Sequence, residues 1–254
     1  MLERVRSRLR EKIVHVVEDA VRQRDAELRH EVRRLRAQIE GLELRERRDL
    51  FAAAERAAVL SSAEYVGRHF AGAASFGHPH DTLRHAISQA PTTGLALEMG
   101  VYSGTTLRLI ADARPGTVYG FDVFTGLPED WRPGFPAGTF AAAELPDVPG
   151  AELVVGLFED TLPRFLAEHP GPIDLLHVDC DLYSATVTVL DAVVSRLVVG
   201  SVVAFDEYLN HQNWQDGEFR AWAELVARTG ISYEYLAYTF DNEQVVVRIT
   251  GVPS

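Results

Sequence analysis

The sequence predicts an α/β fold: a doubly wound, mostly parallel sheet with an N-terminal helical extension. Three observations predict it. From residue 94 onward, short apolar runs alternate with helix-like stretches, the pattern of successive βα units. Two of those runs end in acids, Asp179 with Asp181 and Asp206 with Glu207. In an open α/β sheet the carboxyl ends of parallel strands line the ligand crevice, so these acids are placed to converge. Residues 1–50, finally, have almost no Gly or Pro and a strongly helical composition.

The extension carries apolar residues at Leu2, Val5, Leu9, Ile13, Val16 and Ala20, and again at Leu28, Val32, Leu35, Ile39 and Leu42. The second set alternates spacings of four and three, the coiled-coil period; the step from Leu9 to Ile13 reads as a stutter. Arg and Glu fill the other faces, so a coiled coil that sets oligomeric state is expected, with a solvated helix packed on its own domain as the alternative. Residues 51–90 read as a helical lead-in. Ser61-Ser62-Ala63-Glu64 has capping-type spacing there, and 76–81 is a loop in which His78 and His80 read as surface-turn residues.

Strands are expected at 95–97 (ending at Glu98), 117–121 (ending at Asp122), 152–155, 173–178 and 201–205. Helices are expected at 105–113, 160–168, 184–198 and 217–228. Residues 231–239 and 244–250 then form a hairpin around Asp241-Asn242. Five βα units and a closing antiparallel pair make seven strands. The stretch 124–150 is rich in Pro and Gly and holds Trp131, Phe135 and Phe140; it is too long for a plain connection and suits a lid over an acceptor. The expected organisation is 1–50 helical extension, 51–90 lead-in and 91–254 catalytic domain.

At 254 residues, 46% hydrophobic and 24% charged, the chain has the make-up of a globular protein with a sizeable core. Its net charge of −12 disfavours a nucleic-acid or anionic-membrane partner. Residues 1–50 depart from this, with fourteen basic against eleven acidic side chains. Cys180 is the only cysteine, which excludes an internal disulfide and a cysteine-based zinc site. No signal core and no run long enough to span a membrane is present, so a cytoplasmic, reducing setting is expected.

The chemistry concentrates at the strand ends. Glu98-Met99-Gly100-Val101-Tyr102-Ser103-Gly104-Thr105 joins the first strand of the alternating region to its helix, and its two glycines let a ligand approach the backbone. It lacks the three glycines of the dinucleotide fingerprint. Glu98 would repel a pyrophosphate but suit a cationic or amino-bearing ligand. Asp122 suits ribose hydroxyls. Asp179, Asp206 and Glu207, if close, would repel one another unless a hard cation lay between them.

Together with these, Gly120-Phe121-Asp122-Val123-Phe124-Thr125-Gly126-Leu127-Pro128-Glu129, Gly156-Leu157-Phe158-Glu159-Asp160-Thr161-Leu162-Pro163, His177-Val178-Asp179-Cys180-Asp181-Leu182-Tyr183 and Phe205-Asp206-Glu207-Tyr208 occur in order. Residues 94–250, about three-fifths of the chain, resemble a class I S-adenosylmethionine-dependent methyltransferase, with its seven-stranded Rossmann-like sheet. Within that class they resemble the macrocin O-methyltransferase (TylF-like) family. The resemblance implies that Gly100, Ser103 and Gly104, in one loop with Glu98 and Tyr102, hold the methionine end of S-adenosylmethionine. By the same resemblance, Asp122 holds the ribose, Phe124 lies near the adenine, and Gly156, Leu157 and Phe158 border the adenine pocket. Asp179, beside the cofactor, would join Asp206 and Glu207 in binding Mg²⁺ or Mn²⁺. Relatives often carry two aspartates where this chain has Asp206-Glu207.

The expected reaction is methyl transfer to a hydroxyl of a sugar or glycosylated natural product, with a catechol-type phenol as the alternative acceptor. A bound cation would lower the hydroxyl's pKa and hold it in line. Asp179 or Asp181 would take the proton, with His211 as another candidate base; Asp181 serves equally well as a cap for the following helix. Tyr208 and Trp214 join the insertion's aromatics as candidates for stacking on the acceptor or for packing. An NAD-linked oxidoreductase and a non-catalytic scaffold are the competing classes; the two-glycine loop speaks against the first and the full acidic set against the second.

Overall fold

The structure, a computed structural model, describes residues 2–253, without the side chains of 2–5, 7–9 and 11. The expected seam residues Leu2, Val5 and Leu9 therefore lie outside the described side chains. The chain divides into two compact units, Met1–Ala54 and Glu55–Ser254.

The first unit is dominated by one helix, α1 (Leu2–Arg48). Its apolar residues Ile13, Val16, Leu28, Val32, Leu35, Ile39 and Leu42 are all exposed. Ion pairs between successive turns run along it, such as Arg29–Asp25 at 2.7 Å and Arg34–Glu31 at 2.8 Å, each a modest local support. Asp49 separates α1 from α2 (Leu50–His69) because its carboxylate accepts from the amides of Phe51 and Ala52, satisfying orphan donors at the new helix start. Ser61 and Ser62 do not start a helix, as their spacing suggested; they lie inside α2, and their hydroxyls accept from Trp214 Nε1 and the Asn210 amide.

The second unit holds an eight-stranded sheet. Its strands are β1 (Ala74–Phe76), β2 (Leu95–Met99), β3 (Val118–Asp122), β4 (Ala151–Val155), β5 (Ile173–Val178), β6 (Leu197–Phe205), β7 (Ser232–Thr239) and β8 (Val245–Gly251). Spatial order is β1-β7-β8-β6-β5-β2-β3-β4, parallel except where β8 runs antiparallel to β6 and β7. The helices are α3 (Pro79–Gln89), α4 (Thr105–Ala113), α5 (Phe158–Glu168), α6 (Tyr183–Val193) and α7 (Glu218–Thr229). Two apolar clusters pack the sheet, one around Leu97, Phe121, Phe205 and Trp222, the other around Leu107, Ile110, Leu175 and Val246. β5 is buried along its whole length, as a central parallel strand must be.

The seven expected strands are present, and two expectations change. An eighth strand, β1, adds to β7 through the register Ala74↔Ala237 to Phe76↔Thr239. Three residues are too few for an alternation to be read in the sequence. The helix expected over 184–198 stops at Val193, passes through a 3₁₀ turn at Val194–Arg196, and β6 starts at Leu197. Gly200 (φ 98°) marks an irregularity in the pairing of β5 with β6, and the Ser201 hydroxyl, bonded to the Ile173 carbonyl, fastens it.

Candidate active site

The sheet's switch point lies between β2 and β5, whose following helices pack on opposite apolar clusters. Gly100 takes φ 95° as the chain leaves β2, and any β-carbon there would overlap the Asp179 carbonyl oxygen. Gly100 N donates to Phe121 O at 2.8 Å and Asp179 N to Met99 O at 2.8 Å, so three strand ends are tied together. The loop is then held from β3. Asp122 Oδ2 accepts from the amides of Val101 (2.9 Å) and Tyr102 (2.8 Å), and Oδ1 from Phe124 (2.7 Å). These bonds hold Tyr102 (φ 46°) and Phe124 (φ 56°) in the left-handed region that side chains avoid. Gly104, at φ 76°, opens α4, and a β-carbon there would meet Val148 Cγ2 at 2.8 Å.

A cavity of about 490 Å³ opens at these strand ends, within the range of small-ligand sites. Gly100, Tyr102, Asp122, Gly156, Leu157 and Phe158 line one part of it. Asp179, Asp181, Asp206 and Glu207 line another, and Trp131, Arg132, Phe135 and Phe140 of the insertion complete the wall. Ser103, Gly104, Phe124, Glu98 and His211 are not among its lining residues. Glu98 is fully buried behind the loop, with Oε1 hydrogen-bonded to His177 Nδ1 at 2.8 Å. His211 turns its ring nitrogens to the carbonyls of Gln212 and Glu207, at 2.9 and 3.1 Å. Of the aromatics, Tyr208 and Trp214 are core residues; the three in the insertion face the cavity.

The acids fall into two overlapping sets. Ligand atoms of Asp179, Asp181 and Glu207 lie within 4.8 Å of one another, as do those of His177, Asp179 and Asp206. Asp179 belongs to both, whereas Asp206 and Glu207 share neither. Burial and the neighbouring charge of Asp206 push the Asp179 and Glu207 carboxyls well up, and push Asp181 up to about 7. Glu207 Oε2 is buried and has no hydrogen-bond partner among the described residues. These are properties of a donor set that suits a hard divalent cation, and the glycine cradle with its Asp122 anchor suits a nucleoside-bearing cofactor. Asp181 sits at φ 61° in a tight turn closed by Leu182 N to Cys180 O at 2.6 Å. No side chain caps α6, so Asp181 is not the helix cap that its position allowed.

Three contributors escaped the sequence reading. Arg132 stacks over Trp131, 3.9 Å from the ring centroid, and pairs with both oxygens of Glu243 (3.1 and 2.9 Å), fastening the insertion to the β7–β8 turn. Glu218 lies buried below Glu207 and accepts its amide at 2.9 Å. Gln244 Nε2 donates to Asp206 Oδ1 at 3.2 Å. The only sequence signal was the Arg next to Trp131 and the acid opening α7; burial and distant partners are invisible in one dimension.

Comparison with known proteins agrees with this geometry. Residues 97–208 match a family described as a methyltransferase domain. The structure of CalS11, a calicheamicin methyltransferase, is 27% identical, with a TM-score of 0.52, covering 66% of this chain and 76% of that one. The O-methyltransferase NovP is 24% identical, with a TM-score of 0.53, covering 68% and 79%; at that identity the likeness shows the fold. No curated protein matches the chain. Strand order, glycine loop and domain match together make this chain an enzyme, a methyltransferase of the class I, S-adenosylmethionine-dependent type.

Proposed function

We propose that the enzyme is a divalent-metal-dependent O-methyltransferase of the macrocin O-methyltransferase (TylF-like) kind, acting on a hydroxyl of a sugar or glycosylated natural product. One observation carries this reading: a single cavity joins the glycine loop and Asp122 to the acidic set. The likeness to a calicheamicin methyltransferase supports a natural-product acceptor.

S-adenosylmethionine supplies an electrophilic methyl group on a sulfonium. Gly100, Tyr102, Asp122, Gly156 and Phe158 would hold it, and the buried acids beside them favour its cationic centre. Asp179, the acid common to both sets, is the proposed central cation ligand, with Asp206 from one set and Glu207 from the other beside it; Mg²⁺ or Mn²⁺ there would polarise an acceptor hydroxyl. Asp181 is the better-placed base, because its carboxyl lines the cavity beside the acidic set, whereas His211 is spent on backbone carbonyls. The insertion's aromatics shape the acceptor side and exclude water. The same aromatic wall suits a catechol ring, the second reading.

The acidic lining disfavours a nucleic-acid acceptor. No described helix is long and apolar enough to cross a membrane. A buried lone cysteine fits a reducing cytoplasm, and the exposed stripe of α1 fits a homo-oligomer. The deciding experiment measures labelled-methyl transfer to vicinal-diol sugars and to catechols, with Mg²⁺ and with excess chelator. Transfer to sugars that chelator stops is expected. Full turnover in chelator would refute the metal, and transfer to catechols alone would refute the sugar.

A further inference from the structure

We propose that residues 28–46 of α1 pair with the same residues of a second copy in antiparallel orientation, Val32 of one chain against Leu42 of the other and Leu28 against Glu46. This rests on the self-association just proposed and adds its face, direction and register.

Leu28, Val32, Leu35, Ile39 and Leu42 are between 47% and 65% exposed. All five lie on one unbroken helix, so their 4-3 spacing keeps them on one face. β-Branched Val32 and Ile39 alternate with Leu28, Leu35 and Leu42 along the seam; that division favours two strands in parallel pairs and does not itself choose the antiparallel direction, which the flanking charges decide.

Charge selects the direction. One flank of the seam carries Arg29, Arg36 and Glu43; the other carries Arg24, Glu31, Gln38 and Arg45. In a parallel pair opposite flanks meet, five residues apart. Glu31 would then find Arg36, but Arg24 would face Arg29, and Gln38 would face Glu43. Attraction and repulsion cancel. In an antiparallel pair like flanks meet. With Val32 opposite Leu42 and Leu35 opposite Ile39, four apolar layers form. Glu31 then meets Arg45 and Arg29 meets Glu43, each twice by symmetry. Gln38 meets itself, and Arg36 facing Arg36 is the one like-charged contact on the two flanks. Sliding by one heptad either places Arg29 against Arg36 or halves the apolar layers. Within one chain Arg29 and Glu31 make exposed pairs with Asp25 and Arg34, which exchange at little cost, and Arg45 lies 3.5 Å from the half-buried Asp49.

The test uses the full-length chain and sedimentation equilibrium. Arg29→Glu places two acids opposite Glu43 and is expected to weaken the dimer about tenfold. Arg29→Glu with Glu43→Arg restores it to within about twofold, although both variants lose the Arg29–Asp25 pair, so the rescue is intermolecular. In a parallel dimer Arg29→Glu would instead tighten association by meeting Arg24. Disulfide trapping gives a second readout, because Cys180 is buried and does not compete. Val32→Cys and Leu42→Cys chains should cross-link when mixed but not alone, since like positions stand about 15 Å apart. A monomeric full-length protein at tens of micromolar would overturn self-association itself. A dimer in which Val32→Cys cross-links to itself, or one that ignores the charge changes, would overturn the antiparallel seam alone.

Discussion

Gly100 and Asp179 meet backbone to backbone where β2 and β5 end, leaving no room for a β-carbon on Gly100. This close approach brings the glycine loop to the acids, since Asp179 N is bonded to Met99 O on the same pair of strands. Gly100→Ala should therefore fail twice, through overlap with the Asp179 carbonyl and through an alanine held at φ 95°. A loss of about 2–4 kcal/mol in unfolding free energy is expected by urea titration. A fully stable variant would show that the strands part at small cost.

Asp122 has two tasks, one visible in its three amide bonds and one proposed at the ribose. Asp122→Ala should lower stability by about 1–3 kcal/mol and weaken S-adenosylmethionine binding at least tenfold in calorimetry. Asp122→Asn keeps an acceptor oxygen and should recover part of the stability. Affinity unchanged in both variants would remove Asp122 from the cofactor site.

Asp181→Asn retains size but cannot take a proton. Turnover should fall about 10²- to 10⁴-fold while cofactor affinity stays within a few-fold. An equal loss in His211→Asn, with Asp181→Asn active, would move the base to His211.

The acids also make a prediction about stability. Asp179, Asp181, Glu207 and Glu218 all have raised carboxyl pKa values in the fold, first through burial and then through Asp206. The folded protein therefore binds more protons than the unfolded chain, whose carboxyls titrate near 4. Their stabilising contribution is complete below pH 4 and is lost as pH rises toward and past about 7, the value for Asp181. In chelator, the Tm should fall between pH 5 and 8, and Mg²⁺ should raise it more at pH 8 than at pH 5. A Tm that climbs over that interval in chelator would contradict the packing of these acids.

The glycine loop, Asp122 and the acids at 179, 181, 206 and 207 could be read from the sequence, because a strand-end acid or glycine is marked by the apolar run before it. The length and period of α1's apolar stripe were readable for the same reason: both are local patterns of backbone geometry. Other features depended on the folded chain. β1 is a strand only because β7 offers it an edge. Val194–Val198 looked helical by composition, yet β6 claims its last two residues, with Leu197 paired to Ile173 of β5. Glu98 looked like a ligand residue until the fold sealed it against His177, and Arg132 reached the site through Glu243, 111 residues away. Local periodicity is written in neighbouring residues. Burial, a partner across the sheet and the sharing of one cavity by acids from β5 and β6 arise only when distant segments pack, and packing decides which charged group keeps its water and which must find a partner.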